Sequence, residues 1–198
     1  MRIVPVVAVL LILPSAPLRA QTQPTDRLVP GAWSLSFALP SGGGGSVGLW
    51  TMVSRRANLG VNLGFSFNRT TSKYVDSVSG TLRDDEVRWS IRVEPTVMLY
   101  QRLRPNVAPF LLGQIGASYG WTGSSSPSES TRWRTWSVYS RLGLGLEWFP
   151  VPAVSVNGWM AISIEAAFAH SRSNYAVNDA TTFDAGTLTS VLALRIYP

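Results

Sequence analysis

The ten residues LGVNLGFSFN, at positions 59–68, put an apolar side chain at every second place: Leu59, Val61, Leu63, Phe65 and Phe67. Gly60, Asn62, Gly64, Ser66 and Asn68 lie between them. A period of two is the mark of a strand with one apolar and one polar face. The same alternation returns in GAWSLSFAL (31–39), VGLWTMVS (47–54), VRWSIRVEPTVMLY (87–100) and APFLLGQIGASYGW (108–121). It returns again in WRTWSVYSRLGLGLEWF (133–149), WMAISIEAAFAH (159–170) and TLTSVLALRIYP (187–198). The pattern predicts an all-β chain of eight strands. A soluble sandwich or lipocalin-like barrel would turn the apolar face inward, whereas a transmembrane barrel turns it toward lipid.

The connections differ by end. Those after the second, fourth and sixth strands are short or carry proline: RRAN, QRLRPN and PVPAVSVNG. Those after the third, fifth and seventh are long and polar and read as loops over 69–86, 122–132 and 171–186. Only PSGGGGS, after the first strand, is short on that side. Tight turns at one end and long loops at the other predict an antiparallel up-and-down transmembrane β-barrel with periplasmic turns and external loops.

The polar phase decides which way the faces turn. It carries Arg88, Arg92 and Glu94 on the fourth strand, Arg141 and Glu147 on the sixth, Glu165 on the seventh and Arg195 on the eighth. An arginine at mid-depth on a lipid face costs about 2–4 kcal/mol, so these residues are expected to face the lumen and pair there as a mixed-sign network. The glycines of the same phase, Gly60, Gly64, Gly116, Gly143 and Gly145, suit a lumen just wide enough for side chains. Trp33, Trp89, Trp121, Trp136, Trp148 and Trp159 fall near the ends of the alternating segments, where aromatic girdles meet lipid headgroups.

Composition agrees. Charged residues make up only 14% of the chain, against about 25% for ordinary soluble domains. No apolar run beyond the N-terminus reaches the ~18 residues of a spanning helix. The opening MRIVPVVAVLLILPSAPLRA reads as a secretory signal with Arg2 as its basic start, cleaved near Ala20. That divides the chain into a signal peptide (1–20), an N-terminal periplasmic segment (21–30) and a barrel (31–198), located in the bacterial outer membrane. The formal charge of +6 includes Arg2 and Arg19 of the leader, and no basic face is clustered, which argues against nucleic acid as a partner. With no cysteine and one histidine, no metal site or cofactor is expected.

The leader, the eight alternating strands and the sorted loops together resemble the small outer-membrane β-barrel superfamily, the OmpA, OmpX and OmpW-type proteins, over roughly residues 31–198. The resemblance implies outer-membrane lipid, lipopolysaccharide and the barrel-assembly machinery as partners. Such chains usually end on an outward aromatic residue, and here the end is Tyr197-Pro198. An eight-stranded barrel with Arg, Glu, Tyr and Phe inside is too narrow for an aqueous pore. The expected role is therefore non-enzymatic, structural or surface-interacting, with the external loops as the contact surface.

Two alternatives stay open at this stage. His170, followed by Ser171 and Ser173 and later by Asp184, resembles the catalytic stretch of lipid A deacylase barrels. That resemblance implies serine as nucleophile, histidine as base and the acid as orienter. Neither serine lies two residues from His170, so a bulge is needed to bring them to one face. The second alternative is a soluble periplasmic lipocalin-like binder, which requires an apolar, uncharged inward phase, and the charges of the fourth and sixth strands contradict that. The acidic run Asp84-Asp85-Glu86 is placed in an external loop, as a candidate for divalent cations.

Overall fold

In a computed structural model, which describes residues 28–40, 44–76, 80–101, 104, 106–125, 130–173 and 176–198, the chain forms one closed antiparallel barrel. Its strands are β1 (Trp33–Pro40), β2 (Gly45–Ser54), β3 (Ala57–Asp76), β4 (Gly80–Tyr100), β5 (Val107–Ser125), β6 (Ser130–Val151), β7 (Val154–Ser173) and β8 (Val177–Ile196). Each pairs with its neighbour in sequence, and β1 closes the ring on β8. The predicted leader and most of the segment at 21–30 lie outside the described residues.

The alternation has the outcome expected of a lipid-facing wall. Leu142 is 76% exposed and Ile115 69%, while Glu147 and Arg195 are completely buried. Apolar residues are on the outside and many polar ones inside, the reverse of a lipocalin-like binder. The interior is nonetheless not purely polar. Toward the end that carries the turns at Arg55-Arg56 and Pro152-Ala153, called here the near end, Met52, Met98, Phe110, Phe149 and Leu28 pack into an apolar plug.

The long polar loops expected at 69–86, 122–132 and 171–186 are a correction. Most of their residues are strand: β3 runs to Asp76, β4 starts at Gly80, β5 ends at Ser125, β6 starts at Ser130, β7 ends at Ser173 and β8 starts at Val177. Asp84, Asp85 and Glu86 accordingly sit in β4, not in a loop. At about 3.3 Å per residue and a tilt near 40°, a twenty-residue strand such as β3 rises roughly 50 Å, about twice the ~25 Å of an apolar band. Beyond that band both faces meet water. Nothing there enforces alternation, so the sequence reads as loop.

The β1–β2 hairpin does not share this extension. Its pairing with β8 stops at Pro40 against Val191, and with β3 at Gly45 against Phe65. Above those points, among the described residues, β8 from Val177 to Ser190 and β3 from Ser66 to Asp76 each have a ladder on one side only. The far half of the barrel is thus a six-stranded wall with a notch two strands wide.

Candidate functional site

The lumen holds two polar clusters, each built from strands distant in sequence. In the lower one, Glu147 of β6 accepts hydrogen bonds from the hydroxyls of Tyr100, Ser155 and Tyr197, the last at 2.9 Å. Arg195 of β8 lies 3.3 Å from the same carboxylate and donates to the Tyr100 hydroxyl at 3.0 Å. Its guanidinium stacks 4.4 Å above the Trp50 ring. A fully buried ion pair is tolerable only when most of its remaining hydrogen-bonding capacity is met; here three hydroxyls satisfy the carboxylate, while the Nε of Arg195 stays buried without a partner among the described residues. The Phe149 and Tyr197 rings, with centroids 5.8 Å apart, lie beside it within the plug.

In the upper cluster Glu94 of β4 accepts from Tyr139 at 2.5 Å and from Arg141 at 3.0 Å. Arg141 also donates to Gln114 at 3.0 Å, and Gln114 donates to Thr96 at 3.0 Å. The arrangement depends on missing side chains. A Cβ on Gly116 would run into the Tyr139 ring, and one on Gly60 into the Trp50 indole. These inward glycines are clearance for aromatic neighbours.

Three residues expected in the lumen network join neither cluster. Arg88 pairs with Glu86 at the far rim, its side chain 65% exposed. Glu165 is half-buried opposite Asp184 and has no cationic partner among the described residues. Arg92 faces the lumen without an ion-pair or hydrogen-bond partner among the described residues, its Nε buried and unpaired.

On the outer wall, register rows cross the strands. One carries Phe65, Ile91, Tyr119, Trp136 and Phe168, the next Phe67, Trp89, Trp121, Arg134, His170 and Asp179, and the one beyond Arg69, Val87, Gly123, Arg132 and Arg172. An aromatic belt therefore gives way to arginine within two residues, the order of an apolar band meeting headgroups. Trp33 and Trp148 lie at the near end, exposed. Trp89, Trp121 and Trp136 sit well inside their strands, because the strands continue past the belt. Trp159 is a correction: it is 8% exposed and belongs to the plug, not to a girdle. Ile162 and Ile164 hold the outward phase of β7, so an odd-numbered residue there points inward, a signal already present in the sequence.

Among solved structures, a major outer membrane protein from Thermus thermophilus superposes with a TM-score of 0.52 at 12% identity, covering 84% of this chain and 98% of that one. The chain has the fold of the small outer-membrane β-barrels. The N-terminal β-barrel domain of Pseudomonas aeruginosa OprF (TM-score 0.43, 7% identity, 85% and 98% covered) and Neisserial surface protein A (0.40, 14%, 83% and 92%) are weaker likenesses. No family model and no curated protein matches the sequence.

In this outer-membrane-type barrel the residues of the esterase alternative are separated. His170 faces outward, and its Nδ1 lies 2.6 Å from Asp179, directly opposite on β8. Ser171 points inward and is 4% exposed. Ser173 shares the phase of Ser171 and bonds the backbone of Ala176. Asp184 faces Glu165 rather than His170. Among the described residues, the bulge in this region is in β8 at Gly186, whose φ of 85° suits the extra residue. The alternation of β7 therefore runs unbroken and keeps histidine and serine on opposite faces.

Proposed function

We propose that this chain is a non-enzymatic barrel of the bacterial outer membrane that blocks passage through its lumen and engages anionic glycolipid, lipopolysaccharide in particular, on its outer wall. The opposition of Arg132 and Arg172 carries this reading. Like charges directly across a ladder are destabilising, and neither arginine has a carboxylate partner among the described residues. With Arg134 one row below, they form an outward cationic patch just past the aromatic belt, where lipid phosphates lie. Phosphate between opposed guanidiniums removes the repulsion and accepts forked hydrogen bonds. The buried Glu147–Arg195 cluster and its aromatic plug support a closed lower lumen, and the separation of His170 from Ser171 supports a non-enzymatic role.

The test is thermal unfolding of the refolded protein in micelles with and without lipid A. Wild type should gain several degrees, and the double variant Arg132→Ala/Arg172→Ala should gain little. Equal gains in the two proteins would overturn the glycolipid reading.

A further inference from the structure

Between the two polar clusters lies a recess of about 270 Å³. Its lining includes Arg92, Asn157, Asn62 and Trp159, and on β8 both Thr187 and Leu188. Leu188 belongs to the outer face and is 63% exposed, while Thr187 and Thr189 flank it on the inner one. Residues of both faces of β8 line the space just above the last β1–β8 pair at Val191. The recess therefore opens sideways, through the notch over the short hairpin, and the plug closes it below.

We infer that this recess binds a small organic carboxylate with an apolar body. The charge balance points to an anion. Arg141 is paired with Glu94 and Arg195 with Glu147, so the guanidinium of Arg92 is the uncompensated charge among the described lining residues. A half-buried unpaired cation is costly, and a bound anion relieves it. Asn157 is an independent observation. It is 1% exposed, lines the recess, and neither its amide nitrogen nor its amide oxygen has a partner. A buried side chain with both a donor and an acceptor unmet calls for a polar occupant.

Charge and size narrow the class. One spare positive charge matches a carboxylate better than a phosphate monoester, which carries about −1.5 to −2 at neutral pH. The volume equals roughly nine waters at ~30 Å³ each, too small for an oligosaccharide. The side walls at Trp159, Leu188 and Val191 are apolar and suit an aryl or short alkyl body, with the acid group toward Arg92. Trp50 and Trp159 in the lining make occupancy observable by fluorescence.

The full chain, folded in micelles, is titrated with phenylacetate and with phenethylamine, which has a similar body and the opposite charge, using tryptophan fluorescence and isothermal titration. Phenylacetate should bind saturably and phenethylamine should not. Arg92→Gln should weaken phenylacetate at least tenfold while melting no lower than wild type, since Arg92 holds no partner to lose. Asn157→Leu, as a second variant, should weaken it several-fold. Three outcomes overturn the inference: no saturable binding, which makes the recess a water pocket; equal affinity for the amine, which makes it merely apolar; or unchanged affinity in both variants.

Discussion

Arg195 and Glu147 are 48 residues apart in the chain, 3.3 Å apart in the lumen, and both wholly removed from solvent. The contact joins β8 to β6 over the intervening β7, beside the β1–β8 seam that closes the barrel. Removing either partner leaves a buried charge without its counter-ion. Glu147→Ala and Arg195→Met are each expected to cost about 3–5 kcal/mol. The double variant should cost clearly less than the two added together, as contacting residues do. Denaturant unfolding of the refolded barrel measures this, and simple additivity would refute the coupling.

Glu94 and Arg88 separate lumen from rim. Glu94 is 7% exposed and bonded to Tyr139 and Arg141, so Glu94→Ala should cost about 3 kcal/mol or more. Arg88→Ala breaks an exposed pair with Glu86 and should cost under about 1 kcal/mol. Similar unfolding midpoints for the two variants would contradict a lumenal position for Glu94.

The inward glycines predict steric sensitivity. Gly116→Ala pushes a methyl group toward the Tyr139 ring and should destabilise the barrel by about 1–3 kcal/mol. Gly158→Ala, whose Cβ meets its nearest atom at 3.9 Å, should leave the melting temperature nearly unchanged. Melting curves of the two variants in the same micelle make the comparison.

Leu142 tests the outer wall. At 76% exposure on the outward face of β6, it is expected against acyl chains. Leu142→Arg should cost about 2–4 kcal/mol when folding is measured in bilayers. No cost there would show that this face meets water.

His170 tests the absence of hydrolysis. Mass spectra of lipid A from cells expressing the wild-type chain should match those from cells expressing His170→Ala and Ser171→Ala. Loss of a hydroxy-fatty acyl group with wild type alone would restore the esterase reading. His170→Ala should cost little stability, since its bond to Asp179 lies on the exposed outer wall, the two side chains 54% and 81% exposed.

Local periodicity determined much of this molecule. Side-chain direction in a strand has period two, so LGVNLGFSFN specifies a strand and divides its residues between two faces without reference to any partner. The charges of the polar phase specify which face meets lipid, because Arg92, Arg141 and Glu147 are too costly there. The short PSGGGGS connection announces the short β1–β2 hairpin. Strand length was hidden where both faces leave the apolar band, since water on either side accepts any polar residue.

The tertiary structure alone decided who meets whom inside. Lumen neighbours are set by register and by ring closure, which bring β4, β6 and β8 together across a narrow interior, and no short-range pattern encodes such contacts. Phase made lumen candidates of all seven charged residues. Closure paired Glu94 with Arg141 and Glu147 with Arg195, put Arg88 at the rim beside Glu86, and left Arg92 facing an open recess. The β7–β8 register likewise set Asp179, rather than Asp184, opposite His170; the extra residue at Gly186 shifts every pair beyond it by one, and without it His170 would face Ala180.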